Sequence, residues 1–375
     1  MTALFDPLTL RGVTLRNRIG ISPMCQYWAG SDGKPTDWHL VHLGSRAVGG
    51  AGLVMTEVAA IEPRGRIGVR DVGIWSDDHI EPWARITRFL KDYGAVPGIQ
   101  IGHAGRKASV IPAWDPERAV QNAPVEEGGW DEIVAPSPIA LRADGRVPRE
   151  LSVQEIANLV DMHREAARRA DAAGFEHIEI HGGHGYLHAS FLSPFSNKRS
   201  DRYGGSFDNR MRFLLESIAA IREIWPDRKP LAVRLSSTEW IPEGWQLEDT
   251  VALARVLKGH GVDLVDCSSG LGATGGGLPL HPTAPGWQVQ FAERVRREAG
   301  IATAAVGMIY QPFQADSIIR DGRADLVLIA TASLRDPYWP LNAAQALGPY
   351  AGEGVKAPTP YHYVVSRREG HQPRR

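Results

Sequence analysis

Eight short apolar runs, separated by segments with helical periodicity, constrain the fold of this 375-residue chain most strongly. The runs are rich in β-branched residues and continuous rather than alternating, which is typical of parallel strands covered on both faces. They predict strands at 18–24, 51–60, 96–103, 175–181, 231–237, 262–269, 301–308 and 324–331. Eight strand–helix repeats favour an α/β fold of the (β/α)8 TIM-barrel type over a doubly wound sheet.

Two of the segments between these runs carry helix-boundary signals. Ser152 and Glu155 form a capping-box pattern, and Gly174 is expected to end the helix that follows. Asp208 is expected to head the next helix, which Pro226 would close. These signals support the alternation of strands and helices.

The repeats are unevenly spaced, because a segment rich in Pro, Gly and Trp, 106–150, separates predicted strands three and four. It lies on a βα connection, the face where barrel enzymes place their active sites. Loops of this length are usually functional, so we predict a lid. Residues 1–349 would then form one barrel domain. The polar and basic tail, 350–375, is predicted to be disordered or to reach a neighbouring subunit.

Charge and composition exclude several classes of partner. The formal net charge of -1 argues against a nucleic-acid or membrane-surface partner. No apolar run is long enough to cross a bilayer, and the first residues lack the pattern of a secretory signal. Cys25 and Cys267 are far apart and form no CxxC, so we expect no disulfide framework and a cytoplasmic location.

The stretch HGGHGYLH, 181–188, contains three of the 13 histidines. His177, Glu179 and His181 share one face of a predicted strand, with His181 nearest its C-terminal end. One interpretation is a zinc site that uses His181, His184 and Glu179, with His188 as a further candidate. A second is a histidine pair satisfied by backbone groups. A third is a pair of hydrogen-bond donors aimed at one oxygen. The spacing alone does not choose among them.

Gln100 and Arg234 lie inside apolar runs, where a guanidinium is costly unless it has an anionic partner. That partner is either structural, such as Glu57 or Glu179, or a planar polar ligand that carries negative charge. Residues 270–275 match GxGxxG, but prolines rather than a helix follow them. We therefore interpret this segment as a loop and not as a dinucleotide site.

Several motifs together resemble those of the Old Yellow Enzyme family of FMN-dependent ene-reductases. They are SPMCQY (22–27), GAGLVMTEVAAIEPRGRI (50–67), GIQIGHAGRKAS (98–109), HGGHGYL (181–187) and NKRSDRYGGSFDNRMRF (197–213). The similarity runs from about Leu4 to Pro340. Cys25 and Tyr27 resemble the pair found in the thermophilic-like class, which includes xenobiotic reductases.

The resemblance implies a non-covalent FMN across the mouth of the barrel. Ser22, Pro23, Met24, Cys25 and Ala60 would line the ring, with the Cys25 thiol tuning its potential. Gln100 would bond the pyrimidine edge, and Arg234 would neutralise the N1/C2 oxygen region of the reduced flavin. Barrel enzymes often bind phosphate after strands seven and eight, which here places the phosphate near Gly307, Ala330 and Thr331.

The resemblance also implies an NAD(P)H-dependent reaction on activated alkenes. His181 and His184 would hold a carbonyl or nitro oxygen, and Tyr27 would orient the substrate. Hydride would pass from reduced FMN to the β-carbon, with Tyr186 as proton donor to the α-carbon. NADPH or NADH would reduce the flavin first in the same cavity, which gives ping-pong kinetics. A homodimer or homotetramer is expected.

Two departures from the family pattern lead to further predictions. Ala330-Thr331 stands where relatives commonly have Gly-Arg, and losing that charge-assisted phosphate contact costs about 1.5–3 kcal/mol, so weaker FMN binding is expected. In the tail, Tyr363 lies near the place of an active-site arginine of some relatives, with Arg367 and Arg368 after it. We hypothesise that the tail crosses a dimer interface with an aromatic residue instead.

Three other functions serve as alternatives. A dienoyl-CoA-reductase-like enzyme would carry a cysteine-rich iron–sulfur segment, which two cysteines do not supply. A zinc-dependent barrel hydrolase would use His181, His184 and Glu179. A flavin-binding protein without turnover is the third alternative, because the phosphate site is altered.

Overall fold

The computed structural model describes residues 3–115, 117–118, 121–142, 145–270, 284–351 and 355–365. Its strands are β1 (Leu8–Leu10), β2 (Val13–Leu15), β3 (Ile19–Ile21), β4 (Leu53–Ala60), β5 (Val96–Gly102), β6 (Val134–Ala135), β7 (Arg149–Glu150), β8 (His177–Gly182), β9 (Leu231–Ser236), β10 (Leu264–Ser268), β11 (Ala302–Ala305) and β12 (Leu326–Ile329). Its helices are α1 (Asp37–Val48), α2 (Ile80–Asp92), α3 (Val153–Ala172), α4 (Leu187–Leu192), α5 (Phe207–Arg222), α6 (Leu247–Gly259), α7 (Val289–Ala299), α8 (Pro312–Arg320), α9 (Thr331–Arg335), α10 (Trp339–Leu347) and α11 (Thr359–Val365).

Strands β3, β4, β5, β8, β9, β10, β11 and β12 form a closed barrel in that order, and β12 pairs with β3. All of these pairings are parallel. The prediction of a (β/α)8 barrel is therefore confirmed. The strands are shorter than predicted, because the apolar runs continue into buried loops beyond the last ladder hydrogen bond. The predicted strands 18–24 and 301–308, for example, reduce to Ile19–Ile21 and Ala302–Ala305.

Residues of the barrel strands contribute to two different apolar cores. The outward residues, such as Ile178, Val233 and Val265, join the large core shared with the surrounding helices. Inward residues at the N-terminal ends of the strands, among them Leu53 and Leu264, form a second core with the hairpin β1–β2. The hairpin closes this end of the barrel, so the opposite end is left for a site.

Close packing at the closed end depends on a glycine in β5. A Cβ added to Gly98 would lie 2.2 Å from the Met55 Sδ atom, well inside van der Waals contact. Gly98 thus leaves room for Met55 inside the barrel, and a larger residue there would force the Met55 side chain to move.

The helix-boundary predictions are confirmed in one case and wrong by two residues in the other. Ser152 caps α3 in a capping box with Glu155, and Gly174, with φ of 82°, follows the end of that helix. The prediction that Asp208 heads α5 is wrong. Ser206 is the N-cap, because its hydroxyl accepts the Asn209 N–H, and Asp208 lies in the first turn.

The predicted lid segment connects β5 to α3. It contains the short pair β6–β7 and two 3₁₀ turns, Gly105–Lys107 and Val125–Glu127. Arg146 links distant residues of the segment, because its Nη1 donates to the Trp130 carbonyl (2.6 Å) and its Nη2 to the Ser109 carbonyl (2.7 Å). These hydrogen bonds hold described parts of the segment together at the C-terminal end of a barrel strand.

Parts of two predictions fall outside the described residues. Residues 271–283 include most of the GxGxxG match, and 366–375 include Arg367 and Arg368. Within the described part of the tail, Thr359–Val365 forms α11, and the Tyr361 ring lies 6.4 Å from that of Tyr338. Within the described ranges, no helix combines the length and the apolarity needed to span a bilayer.

Candidate active site

A layer of polar side chains lies inside the barrel above the apolar plug. Gln100 on β5 pairs in register with Glu179 on β8, and Arg234 on β9 pairs with Asp266 on β10. The Gln100 Nε2 atom donates to Glu179 Oε1 at 2.8 Å, and Arg234 Nε lies 3.1 Å from Asp266 Oδ2. The parallel register thus forms two polar pairs on neighbouring strands, and between β8 and β9 it sets Arg234 opposite His181.

Neither of the two carboxylates suggested as a structural partner for Arg234 forms an ion pair with it. The guanidinium is paired with Asp266, on the adjacent strand, and not with Glu57 or Glu179. Glu57 accepts hydrogen bonds from His39 Nε2 (3.1 Å) and from the Gln26 backbone N–H (2.9 Å). The reason is register: Asp266 is directly opposite Arg234, whereas Glu57 follows an irregularity in β4 that turns it towards α1.

This layer can accept an anionic ligand. Arg234 Nε and both carboxylate oxygens of Asp266 have no hydrogen-bond partner within the described ranges, because their contact lacks hydrogen-bond alignment. Arg234 Nη1 donates only a 3.3 Å hydrogen bond to Ser22 Oγ. Burial and the Asp266 carboxylate raise the pKa of Glu179, which favours its neutral form. A buried guanidinium with such incomplete pairing fits the polar, electron-rich edge of a flavin.

One wall of the mouth is formed by the segment 22–27, which follows β3, and by Ala60, the last residue of β4. Ser22 and Ala60 are buried, and Pro23, Met24 and Cys25 are partly buried. Burial and the Asp71 and Glu57 carboxylates raise the pKa of the Cys25 thiol. The last residue of this segment, Tyr27, has φ of 53°, a left-handed backbone that non-glycine residues adopt at some energetic cost.

The ends of β11 and β12 bring together the residues predicted for phosphate binding. Gly307 follows β11 with φ of 112°, and a Cβ there would lie 2.9 Å from the Gln288 Cβ, so only glycine fits. Ala330 follows β12 directly, and α9 begins at Thr331. Because β11 and β12 are neighbours, all three residues lie at the same part of the rim.

The two predicted histidines are in contact at the mouth. His181 lies on β8, and His184 lies in the turn after it with φ of 55°. His184 Nδ1 is 3.2 Å from His181 Nε2, and His184 Nε2 is 2.8 Å from Ser268 Oγ. The Ser236 hydroxyl accepts the His184 backbone N–H at 2.7 Å, which helps to hold the strained turn.

The surroundings keep both imidazoles neutral. Burial and the nearby Arg234 charge lower the pKa of His181 and of His184 well below the usual value. The Tyr186 ring lies 4.7 Å from the His181 ring at 88°, and burial raises the pKa of its hydroxyl. Lys107 Nζ donates to the His184 carbonyl at 2.8 Å, and burial lowers its pKa to about 8. A cavity lined by Ala60, Asp71, His103, His181 and Tyr186, among others, adjoins this group.

The arrangement does not bring together the ligands of the zinc interpretation. Glu179 bonds Gln100 in the layer below, and His188 stacks on Phe213 at 4.4 Å with its Nε2 near Ser217. No group of three or more His, Cys, Asp or Glu residues suited to a metal occurs within the described part of the chain. The backbone-satisfied interpretation holds in part, since His181 Nδ1 accepts the Gly183 N–H at 3.2 Å.

Sequence reasoning missed four residues of this site: Lys107, Asp71, Asp266 and Ser268. Asp266 and Ser268 lie two apart on β10. Alternation along that strand points both side chains away from the helix-covered face, so their inward position was readable from VDLVDCSS. Lys107 ends a 3₁₀ turn and Asp71 lies in a loop, and neither stretch of sequence has a periodic hydrophobic pattern.

Comparisons with known proteins show the family of the chain. A family model described as the NADH:flavin oxidoreductase / NADH oxidase family matches residues 3–348. An NADPH dehydrogenase of Geobacillus sp. (strain WCH70) is 47% identical over 348 residues, which are 92% of this chain and 95% of that protein.

Two solved structures show the same likeness. Morphinone reductase in complex with tetrahydroNAD superimposes with a TM-score of 0.74 at 26% identity, over 97% of this chain and 94% of that one. The Old Yellow Enzyme homologue from Zymomonas mobilis gives 0.74 at 26% identity, over 92% and 93%. The chain therefore belongs to the NADH:flavin oxidoreductase / NADH oxidase family and is an FMN-binding oxidoreductase that uses NAD(P)H.

Proposed function

We propose that this oxidoreductase reduces the activated C=C bond of α,β-unsaturated carbonyl or nitro compounds. The observation that carries the proposal is the pair of neutral imidazoles, His181 and His184, in contact at the mouth beside the Tyr186 ring. Neutral imidazole N–H groups in a water-poor site stabilise an oxygen that gains negative charge during a reaction. Polarising such an oxygen makes the β-carbon of a conjugated alkene electrophilic.

The residues that would hold FMN are those predicted from the sequence. Ser22, Pro23, Met24, Cys25 and Ala60 would lie along the ring, and Gly307, Ala330 and Thr331 would receive the phosphate. Gln100 and Arg234 would meet the polar edge of the ring, where the incompletely paired guanidinium supplies positive charge. When bound, FMN supplies the redox chemistry: it accepts a hydride from NADPH or NADH and gives one to the β-carbon.

The protein side chains would complete the reduction by positioning and proton transfer. His181 and His184 would hold the substrate oxygen, and Tyr27 would orient the alkene. The Tyr186 hydroxyl would deliver a proton to the α-carbon, since its raised pKa keeps it protonated until that step. The Lys107 ammonium, 5.1 Å from the centre of the Tyr186 ring, would stabilise the phenolate that remains.

Further features of the proposal concern the whole chain. The nicotinamide and the alkene would use one cavity in turn, which gives a ping-pong mechanism. Residues 1–349 would act as one barrel domain with 106–150 as its lid. We also propose a cytoplasmic homodimer or homotetramer that acts on small, including xenobiotic, alkenes and binds neither nucleic acid nor membrane; the unpaired Cys25 and Cys267 suit a reducing compartment.

The experiment that tests this function follows the flavin spectrum under anaerobic conditions. FMN-loaded protein should lose its yellow band on addition of NADPH and regain it on addition of 2-cyclohexenone, with one cyclohexanone formed per flavin. A band that bleaches but is not restored by any enone or nitroalkene would reject the ene-reductase and support flavin binding without alkene turnover. Zinc analysis of the same sample tests the hydrolase alternative.

A further inference from the structure

We propose that Ser268 sets which ring nitrogen of His184 carries the proton, and thereby whether the histidine pair can hold a substrate oxygen. This inference rests on the proposed function and adds a positioning residue to it. Ser268 ends β10, whereas both histidines belong to β8 and its following turn, so the contact joins separate parts of the mouth.

The hydrogen bonds around the pair have a defined direction. The Gly183 N–H donates to His181 Nδ1 (3.2 Å), so neutral His181 carries its proton on Nε2. That Nε2–H lies 3.2 Å from His184 Nδ1, which must therefore be the acceptor. The proton of neutral His184 is then on Nε2, where it donates to Ser268 Oγ at 2.8 Å. In this state the two rings bond each other, and the pair offers no second donor.

Two donors on one substrate oxygen require the other tautomer of His184. Its proton must be on Nδ1, beside His181 Nε2–H, and Nε2 then becomes an acceptor that needs a donor. The Ser268 hydroxyl can fill that role, because a hydroxyl both accepts and donates. The proton moves between the two nitrogens of one ring through water exchange, so the net charge of the site does not change.

The hydroxyl is also held in a way that lets it turn. In the present arrangement Ser268 Oγ donates a long hydrogen bond of 3.5 Å to Gln288 Oε1. Gln288 Oε1 also accepts a shorter hydrogen bond of 2.8 Å from Ser269 Oγ. Gln288 Oε1 therefore keeps a partner when Ser268 turns towards His184, and the turn leaves no buried acceptor unsatisfied.

The tautomer of His184 is the quantity to measure. FMN-loaded protein with ¹⁵N-labelled histidine is examined by NMR without ligand and with cyclohexanone, a saturated ketone that cannot be reduced at a C=C bond. We expect the His184 proton on Nε2 without ligand and on Nδ1 with cyclohexanone.

Three variants separate the hydroxyl from simple packing. Ser268→Ala should hold cyclohexanone about fivefold more weakly, the effect of one net hydrogen bond, and raise the KM for 2-cyclohexenone similarly. Ser268→Thr keeps the hydroxyl and should restore the affinity. Ser269→Ala removes the other hydroxyl on Gln288 Oε1 but no contact to His184, so it should weaken cyclohexanone binding clearly less than Ser268→Ala does.

The inference is overturned if His184 keeps one tautomer with and without cyclohexanone. It is also overturned if Ser268→Thr is as weak as Ser268→Ala, or if Ser269→Ala loses as much affinity. Turnover of 2-cyclohexenone by the parent protein tests the proposed function separately. A parent that reduces the enone without any tautomer change rejects only the role of Ser268.

Discussion

At the scale of single residues, Asp71 has the least satisfied carboxylate beside the cavity. One oxygen accepts the backbone N–H groups of Ile67 and Gly68, both at 2.8 Å. The other has no hydrogen-bond partner within the described ranges. Burial, followed by the Glu57 charge, raises the pKa of Asp71 from 3.8 to about 7. The folded protein therefore binds a proton here that the unfolded chain releases at lower pH.

We predict that Asp71→Asn stabilises the protein at pH 8 by at least about 1 kcal/mol, because one pKa unit corresponds to about 1.4 kcal/mol. A carboxyl whose pKa is raised on folding favours the folded state below pH 3.8, and this contribution falls as the pH rises to about 7. Thermal melts of parent and variant at pH 5 and pH 8 measure the effect. The gain should be larger at pH 8, and an equal or smaller gain there would contradict the assigned ionisation.

The hydroxyl of Tyr186 can be removed by substitution with phenylalanine, which keeps the ring and its packing. Tyr186→Phe should slow reoxidation of the reduced flavin by 2-cyclohexenone by roughly 10²–10⁴-fold, the usual contribution of a general acid. Reduction of the flavin by NADPH should stay within about twofold, since that step needs no proton on carbon. Stopped-flow measurement of the two half-reactions separates these effects. Equal slowing of both would assign the ring to packing instead.

At the scale of elements, the junction of β12 and α9 is the predicted place of the FMN phosphate. The first residue of α9 is Thr331, and the helix has 5 residues. A hydroxyl at this place offers a neutral hydrogen bond, whereas an arginine would add a charge-assisted contact to a phosphate. If the phosphate binds here as proposed, the residue at position 331 should govern how tightly the cofactor is held.

Thr331→Arg should tighten FMN binding at least tenfold, which corresponds to about 1.4 kcal/mol and lies near the lower bound for a charge-assisted hydrogen bond. Quenching of FMN fluorescence during titration of the apoprotein measures the Kd. Thr331→Gln, with a long uncharged side chain, serves as the control and should show little gain. If the arginine variant binds no better than the glutamine variant, the phosphate does not lie at this junction.

The barrel was predictable at this scale because its strands coincide with buried, largely apolar runs that alternate with segments of helical periodicity. The hairpin β1–β2 was not predicted, because each of its strands has only three residues, too few to show a period. Helix α5 was placed two residues late, since both Ser206 and Asp208 are good N-caps and only the hydrogen bond to Asn209 decides between them. Tertiary contacts, not local pattern, settle such boundaries.

The site was predictable where a motif carries it and not where partners come from distant strands. HGGHGYL indicated His181, His184 and Tyr186, and the structure brings them together. The spacing could not show that the two imidazoles bond each other. Nor could it show that Ser268, 84 residues away in sequence, is the hydrogen-bond partner of His184. Likewise, the pairing of Arg234 with Asp266 depends on the register between β9 and β10, which cannot be derived from the sequence pattern.

At the scale of the whole molecule, the tail places an exposed aromatic ring on helix α11. Helix α11 follows the barrel, and Tyr361 is 45% exposed although its ring is near Tyr338. An exposed aromatic ring on a terminal helix suits a surface that another subunit covers. The hypothesis that the tail crosses a subunit interface therefore has a defined starting point.

Deletion of 358–375 should convert the oligomer to a smaller species and raise the KM for 2-cyclohexenone severalfold, because the tail would no longer reach the neighbouring site. Sedimentation velocity and steady-state kinetics measure both effects. A deletion of 369–375 alone, which leaves α11, Arg367 and Arg368 in place, is the matched control. If the longer deletion changes neither quantity, the tail has no role at an interface.

The central claim is that His181 and His184 hold the oxygen of an alkene above a bound flavin. The most direct measurement uses the double variant His181→Ala/His184→Ala, loaded with FMN, reduced with dithionite and mixed anaerobically with 2-cyclohexenone. The reoxidation rate should fall at least about 10²-fold relative to the parent, since removal of one such donor alone typically costs that much. A variant that binds FMN and is reoxidised at the parent's rate would contradict the claim.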